Sequence, residues 1–423
     1  MPANASRCLA VADLGSNSFR LEIDQPVGGR LQRVEYLKET VRLGSGLDAE
    51  RRLSGQAMQR GLACLARFGE RLAGLAPQQV RVVATQTLRE ARNREDFLAV
   101  AQQTLGFPIE VIAGREEARL IYRGVTPFLP ASRERRLVLD IGGRSTELIV
   151  GQGRTAHACE SLRVGSVSWS MRYFADGKLT ARAFERAEVA AQAVLEPVLL
   201  THGRAQWDAA YGASGTVGVV ADVLNLAGRA PRPGAITRAG LDWLQARLVK
   251  TRRAQAIDLP GVREDRKPII GGGLAVLRAV FDLLEIEQMQ HVESGLRHGV
   301  LVEMLENSGP ARTGNRRDMR AAAIEELAQR YAADPAQARR VARAAALLLR
   351  QTLPPERQTQ RQLAQQLAWA ARLHEVGAWI AHPDYHKHGA YILEQSELSG
   401  FSLAEQHRLA LLVLGQRGKL RKV

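Results

Sequence analysis

An internal repeat constrains this 423-residue chain more than any other feature. Asp13-Leu-Gly-Ser-Asn-Ser-Phe-Arg-Leu21 lines up with Asp140-Ile-Gly-Gly-Arg-Ser-Thr-Glu-Leu148. Asp13/Asp140, Gly15/Gly142, Ser18/Ser145 and Leu21/Leu148 all match at one constant offset of 127 residues. Each copy follows an apolar run (Cys8–Ala12, Leu137–Leu139) and leads into another strand-like run (Phe19–Ile23, Glu147–Val150). The local reading is strand, tight turn, strand in both places. Self-similarity at that spacing implies two related domains, each opening with a polar hairpin.

The segments around the repeat alternate between helix and strand. Residues 54–74 carry helical apolar spacing, Val80–Ala84 reads as a buried strand, and residues 94–105 read as helix. Ile109–Ala113 is a further strand and Glu116–Gly124 a helix start. After the second copy come a helical stretch over 180–200, a strand at Ala209–Tyr211, and the turn Gly212-Ala-Ser-Gly-Thr216 opening a helix. Arg263–Arg266 precede the helix that begins at Ile269-Ile-Gly-Gly-Gly273, and a strand follows near Met289–Val292. This alternation indicates α/β domains. Beyond the polar segment Glu306–Asp318 only helical patterns remain: 320–331, 335–351, 358–376, 385–393 and 403–414. The predicted boundaries are 1–124, 125–305 and 306–423.

The repeated turn has a physical use. Glycine lets backbone approach a ligand closely or adopt positive φ, and N–H groups with Ser/Thr hydroxyls make an anion nest. An Asp at the strand end can hold Mg²⁺ through water. One such turn is an ordinary hairpin; two, heading two domains, imply a phosphate chain clamped between them. Gly114-Arg-Glu-Glu-Ala-Arg-Leu-Ile-Tyr122 adds two acids at a loop-to-helix junction. Acids there also suit the helix dipole, so the pattern assigns one glutamate to activating water and leaves the other as a plain helix start.

Charge points the same way without identifying the partner. The formal net charge is +15, and 52 of the 59 basic residues are arginine, whose planar fork suits phosphate oxygens. An Arg-rich genome gives the same composition, so the excess suggests a polyanion and no more. Cys8, Cys64 and Cys159 lie far apart, which argues against a disulfide framework or a paired-cysteine metal site. The start lacks the length and cleavage pattern of a signal peptide. The longest apolar run of the last third, Ala344–Leu349, falls far short of a bilayer span. A cytoplasmic protein is expected.

Six ordered segments carry a resemblance. Asp13–Phe19, Thr85–Asn93 (Thr-Gln-Thr-Leu-Arg-Glu-Ala-Arg-Asn), Gly114–Gly124, Asp140–Glu147, Gly212–Thr216 and Gly295-Leu-Arg-His-Gly299 resemble the exopolyphosphatase/guanosine pentaphosphate phosphohydrolase family. The resemblance implies two ribonuclease-H-like domains of the actin-like ATPase type around a cleft. An all-α HD-like domain would follow, with His374-Glu-Val-Gly377 and Tyr385–Tyr391 as its marks. It further implies that Asp13, Gly15, Asn17 and Ser18 form a first phosphate loop and Gly142, Gly143, Arg144, Ser145 and Thr146 a second. Gly212, Ser214, Gly215 and Thr216 would form a third glycine-rich turn, and Arg89 would hold the substrate chain. Glu117 matches the catalytic glutamate, the general base for attack on a terminal phosphoryl group. Asp140 and Glu147 are the candidates for a Mg²⁺ site and for orienting water, with a monovalent cation such as K⁺ as a companion.

The family commonly has a third glycine where this chain has Arg144. That residue either adds a cation for a phosphate or crowds the turn. Five histidines (His374, His382, His386, His388, His407) invite a metal-hydrolase reading of the helical region, but no complete ligand set emerges from the sequence. Longer members continue past the position of Val423, so a fourth domain is expected to be lacking or lost. The leading expectation is hydrolysis of terminal orthophosphate from inorganic polyphosphate. Its close alternative is a guanosine pentaphosphate (pppGpp) 5′-phosphohydrolase, and a third class is a non-catalytic polyphosphate or nucleic-acid binding protein. A homodimer is expected, with no stable nucleic-acid partner and at most peripheral membrane association. Residues 306–423 hold 18 basic and 11 acidic groups, including the tail Arg417–Val423, which gives a long polyanion somewhere to run.

Overall fold

A computed structural model describes residues 8–28, 30–307, 314–352, 357–396 and 398–417. The chain divides into two compact units, Met1–Ser308 and Gly309–Val423. Residues 308–313 of the expected linker and 418–423 of the basic tail lie outside the described residues.

The first unit holds two sheets. One contains β1 (Leu9–Leu14), β2 (Phe19–Val27), β3 (Arg30–Glu39), β4 (Val80–Ala84) and β5 (Ile109–Val111), in the order β3-β2-β1-β4-β5. The other contains β6 (Arg135–Ile141), β7 (Thr146–Gln152), β8 (Thr155–Leu162), β9 (Ala209–Ala213), β10 (Ala235–Thr237) and β11 (Gln288–His291), in the order β10-β11-β9-β6-β7-β8. In each, three antiparallel strands form a meander whose first member then pairs in parallel with a later strand. The repeat is therefore one topology built twice, with β1 and β6 as central strands. Its register repeats too: Asp13 faces Arg20 across β1 and β2, and Asp140 faces Glu147 across β6 and β7.

Helices α1 (Gly55–Leu72), α2 (Gln86–Glu90), α3 (Arg94–Leu105) and α4 (Gly114–Val125) belong to the first half. The second half carries α5 (Ser166–Tyr173), α6 (Ala181–Leu195), α7 (Leu199–His202), α8 (Ser214–Leu226), α9 (Arg238–Thr251), α10 (Ile270–Leu283) and α11 (Leu296–Asn307). The third strand of each meander was not foreseen, for one reason. Strands β3 and β8 lie at the sheet's margin or near it, are rich in polar residues and are only partly buried, so they lack an apolar signature. The buried strands β1, β4 and β6 have that signature.

Helix α4 follows β5 and helix α11 follows β11, so they are equivalents in the two halves, and they pack on one another. A Cβ on Gly299 would lie 1.8 Å from the Leu120 carbonyl oxygen, and one on Gly124 would lie 2.2 Å from that of Gly295. Only glycine allows this approach. Ser294 Oγ donates to the Gly124 carbonyl at 2.6 Å. A buried ion network locks the crossing: Glu303 of α11 accepts from Arg81 of β4 at 2.5 Å and from Arg119 of α4 at 2.9 Å. Arg119 also forks onto Glu116 at 2.8 Å. Helix α11, which the expected boundaries assign to the second domain, thus shares a core with β1, β4 and α4, including Val11, Val83, Leu120, Ile121, Val300 and Leu301.

The second unit consists of α12 (Gly314–Arg330), α13 (Pro335–Thr352), α14 (Arg357–Leu373), α15 (Tyr385–Gln395) and α16 (Leu403–Gly415). Its core includes Ile324, Leu327, Leu373, Val376, Leu393, Phe401, Leu409 and Val413. His374 is buried, with Nδ1 2.8 Å from the Ala371 carbonyl, and His407 Nδ1 stands 3.0 Å from Glu394. Among the described residues no group of three or more His, Cys, Asp or Glu could hold a metal ion, and no helix is long and apolar enough to cross a membrane.

Two predictions follow from the packing of α11. Gly299→Ala is expected to cost about 3 kcal/mol or more and to lower the thermal midpoint by about 6–10 °C in calorimetry. Gly55, where a Cβ meets nothing within 4 Å, is the control position. The second concerns β2, whose buried Glu22 accepts from Arg33 and from Arg297 of α11, both at 3.0 Å. Burial and then the Glu22 charge push the neighbouring Asp24 carboxyl up to about 6, against the pull of Arg33 and Arg297. A folded pKa above the unfolded one makes stability fall as pH rises from about 4 to about 6, and stay level beyond. Asp24→Asn is therefore expected to gain about 1–3 kcal/mol at pH 8 and almost nothing at pH 4, measured by urea unfolding.

Candidate active site

The two hairpin turns face each other across a cleft of about 900 Å³ within the first unit. Asp13, Gly15, Asn17 and Ser18 line it from the first turn, and Asp140, Gly142, Gly143 and Ser145 from the second. The turns use glycine in the same way. A Cβ on Gly15 would stand 3.0 Å from the Ser18 carbonyl oxygen, and one on Gly142 would stand 3.1 Å from that of Ser145. Neither has positive φ, so close approach to backbone rather than backbone handedness disfavours a side chain there. The turns also touch, since a Cβ on Gly143 would meet Ser16 Cβ at 2.9 Å.

Ser214, Gly215 and Thr216 of the third turn line the same cleft. Ser214 opens α8 at φ +85°, a conformation that costs a non-glycine residue about 1–3 kcal/mol. Arg266 lies across Gly215, its guanidinium nitrogen 2.5 Å from where a Cβ would be. Gly212 is packed instead against Val217 and Met289, away from the cleft.

The structure separates the two adjacent glutamates of α4. Neighbouring helix positions point about 100° apart. Glu116 enters the buried Arg119–Glu303 network, while Glu117 lines the cleft. Glu117 Oε2 accepts from Arg89 Nη1 at 2.6 Å. Arg89, expected to hold the substrate chain, does not line the cleft: its Nε and Nη2 donate to Gln86 Oε1 at 3.0 and 2.7 Å. Its guanidinium is committed to the glutamate, so it orients that carboxylate rather than a ligand.

Asp140 lines the cleft and Glu147, directly opposite in register, is buried behind it. Burial, then the Glu117 charge, push the Asp140 carboxyl up to about 7, with Arg20 opposing. Burial, Glu117 and Asp140 raise Glu147 well above the ordinary carboxylate range, although Ser161 Oγ donates to it at 2.7 Å. At the equivalent place in the first hairpin, Asp13 pairs with Arg20 at 3.3 Å. One hairpin is thus neutralised and the other left acid-rich. Thr146 is fully buried and donates to the Val164 carbonyl at 2.6 Å, a structural role. Arg144 also leaves the cleft, bonding Glu90 and the Gly44 carbonyl.

Six cations line the cleft that the sequence did not single out for this role: Arg20, Arg33, Lys38, Arg263, Arg266 and Arg297. Burial, Arg266 and Arg263 lower Lys38 to about 8, with Asp265 at 3.7 Å opposing. Among 52 arginines, charge alone offered no contrast by which to choose them. The available signals were positional: Arg20 occupies the repeat position of Glu147, and Arg297 sits inside the Gly295–Gly299 motif.

The Ppx/GppA phosphatase family matches residues 22–308, and domain III of Ppx/GppA phosphatases matches residues 319–423. The guanosine-5′-triphosphate,3′-diphosphate pyrophosphatase of Vibrio atlanticus is 39% identical over 411 residues, covering 97% of this chain and 81% of its own. Its counterpart in Vibrio cholerae is 38% identical over 418 residues, covering 99% and 82%. Among solved structures, an exopolyphosphatase from Cytophaga hutchinsonii aligns at TM-score 0.64 with 22% identity, over 72% of this chain and 99% of that one. The Aquifex aeolicus Ppx/GppA family member aligns at TM-score 0.59 with 24% identity, over 72% and 99%. At those identities the structural likeness speaks to the fold alone.

Proposed function

The chain belongs to the Ppx/GppA phosphatase family, and from that premise we propose that it hydrolyses the terminal phosphoanhydride of guanosine pentaphosphate (pppGpp), with Glu117 as general base. The observation that carries the reading is the cleft itself. It brings two phosphate-type turns together with a carboxylate that an arginine pairs at 2.6 Å. The choice of nucleotide draws on the Vibrio relatives, whose names state that substrate class.

The chemistry requires little covalent participation from the protein, since phosphoryl transfer depends on alignment and charge neutralisation. The first and second turns grip the terminal phosphates from opposite sides. Glu117 accepts a proton from a water whose oxygen attacks the terminal phosphorus. The bond from that phosphorus to the bridging oxygen breaks, and the oxygen leaves on the remaining diphosphate. Arg20, Arg266 and Lys38 face the charge that builds there.

Asp140 fits a Mg²⁺ ion. It is a carboxylate in the cleft whose acidic surroundings favour added positive charge, and Mg²⁺ takes one or two carboxylates with phosphate oxygens and water. Bound by Asp140, with Glu147 behind it, the ion would supply charge neutralisation on the phosphates. A second substrate reading, inorganic polyphosphate, is favoured by the six cleft cations, more than one triphosphate needs.

Incubation with Mg²⁺ and either pppGpp or polyphosphate, followed by phosphate assay, separates the readings. The expected result is a higher kcat/KM for pppGpp. Release from polyphosphate alone would replace the first reading with the second, and release from neither would defeat both. Glu117→Gln is expected to lower kcat by about 10²–10⁴-fold while leaving the substrate Kd within about threefold. A fully active Gln variant would remove Glu117 as the base.

A further inference from the structure

We propose that Arg144 is a positioning residue that, through Glu90, Gln86 and Arg89, holds the carboxylate of Glu117 in its working orientation. The inference rests on Glu117 being the general base.

The chain of contacts is continuous. Arg144 sits in the second phosphate turn, between β6 and β7. Its Nε and Nη2 donate to Glu90 Oε2 at 3.0 and 2.8 Å, and its Nη1 donates to the Gly44 carbonyl at 3.0 Å. Glu90 Oε1 accepts from Gln86 Nε2 at 2.6 Å. The Gln86 amide oxygen is thereby turned toward Arg89, from which it accepts two bonds at 3.0 and 2.7 Å. Arg89 then donates to Glu117 at 2.6 Å, with its remaining contacts on the Ile112 carbonyl and Ser161. Each link is polar and directional, and the Gln86 amide is the one group whose two ends differ, its Nε2 donating to Glu90 and its Oε1 accepting from Arg89.

Charge gives the chain its purpose. Glu90 and Glu117 are both about nine-tenths buried, and Arg144 and Arg89 are the guanidinium partners bonded to them. Arg89 lies beside both acids, since Gln86 bonds Arg89 and Glu90 alike. While Arg144 satisfies Glu90, Arg89 stays committed to Glu117. With Arg144 gone, Glu90 is a buried carboxylate without its cation, and Arg89, one Gln86 side chain away, is a cation within the same relay. Glu117 would then stand beside Asp140 and Glu147 with its arginine drawn away.

The same residue senses the phosphate turns. The Gly44 carbonyl that accepts from Arg144 belongs to a residue whose own N–H donates to the Ser16 carbonyl at 2.8 Å. Arg42 N–H, two residues earlier, donates to the Asn17 carbonyl at 2.9 Å. Arg144 is therefore bonded on one side to the backbone supporting the first turn and on the other to the relay leading to the base. It carries no phosphate itself. It connects the holding of phosphate to the aim of the carboxylate.

The test is a double-mutant cycle on the full-length enzyme, with phosphate release from pppGpp or polyphosphate, whichever the wild type turns over. Arg144→Ala is expected to lower kcat about 10- to 100-fold and to move KM less than about threefold. Glu90→Gln alone should lower kcat by about threefold or less. The double variant Arg144→Ala/Glu90→Gln should recover to within about threefold of Glu90→Gln, because a neutral residue 90 no longer competes for Arg89. Arg144→Lys, which keeps a cation beside Glu90, should retain more of kcat than Arg144→Ala. A raised KM with unchanged kcat, or a double variant whose loss equals the product of the single losses, would overturn the proposal. If Arg144→Ala does not fold, the same comparison with Arg144→Gln and Arg144→Gln/Glu90→Gln, which also remove the cation, decides by the same criteria. A wild type that releases no phosphate defeats the proposed function instead, and the two failures are thereby distinguished.

Discussion

The close crossing of α4 and α11 is the constraint on which the site depends. Both helices follow the last parallel strand of their half, and each presents a glycine where the other's backbone arrives. The approach leaves no room for a Cβ at either glycine, so at the crossing the two helices meet main chain to main chain. Backbone contact of this kind has almost no freedom to repack. It brings α4 against both sheets, places the first turn of α4 at the cleft, and sets Glu117 opposite the hairpin of β6 and β7. The buried Arg81–Glu303–Arg119–Glu116 network then holds the crossing in register.

On this scaffold the cleft carries both signs of charge. Asp140 and Glu147 sit with Glu117, and burial with the neighbouring carboxylates favours a proton or cation on the first two. Arg20, Arg33, Lys38, Arg263, Arg266 and Arg297 line the same cleft, and Arg20 and Arg297 act on Asp140. The two hairpins differ at one decisive position, where Arg20 stands in the first and Glu147 in the second. A duplicated fold has thus become asymmetric: one hairpin can neutralise an anion, and the other can accept a cation or a proton. Both capacities suit the hydrolysis of a polyanionic anhydride.

Much of the fold was legible because it is locally encoded. The hairpins around Asp13 and Asp140, the buried strand Val80–Ala84 and the helix over 94–105 appear where apolar spacing puts them. Strands β3 and β8 escaped notice because their polar residues are stabilised by a neighbouring strand rather than by their own pattern. The helical patterns beyond residue 320 were equally clear, and two of the histidines there, His374 and His407, meet a backbone carbonyl and a carboxylate.

The sequence by itself determined that the chain is a duplicated α/β architecture with paired Asp-x-Gly turns, because those features are written in contiguous residues and a constant offset. The residue pattern left two adjacent glutamates open, and the family resemblance pointed to Glu117. The tertiary structure places Glu117 at the cleft and Glu116 in the interior, where Glu303, far along the chain, shares its arginine. The same holds for the arginines. Arg89 and Arg144 read in the sequence as candidate phosphate-holding cations, yet their carboxylate partners stand 28 and 54 positions away and turn both from the cleft. A guanidinium's role depends on which carboxylate reaches it first, and folding brings that carboxylate from a distant part of the chain.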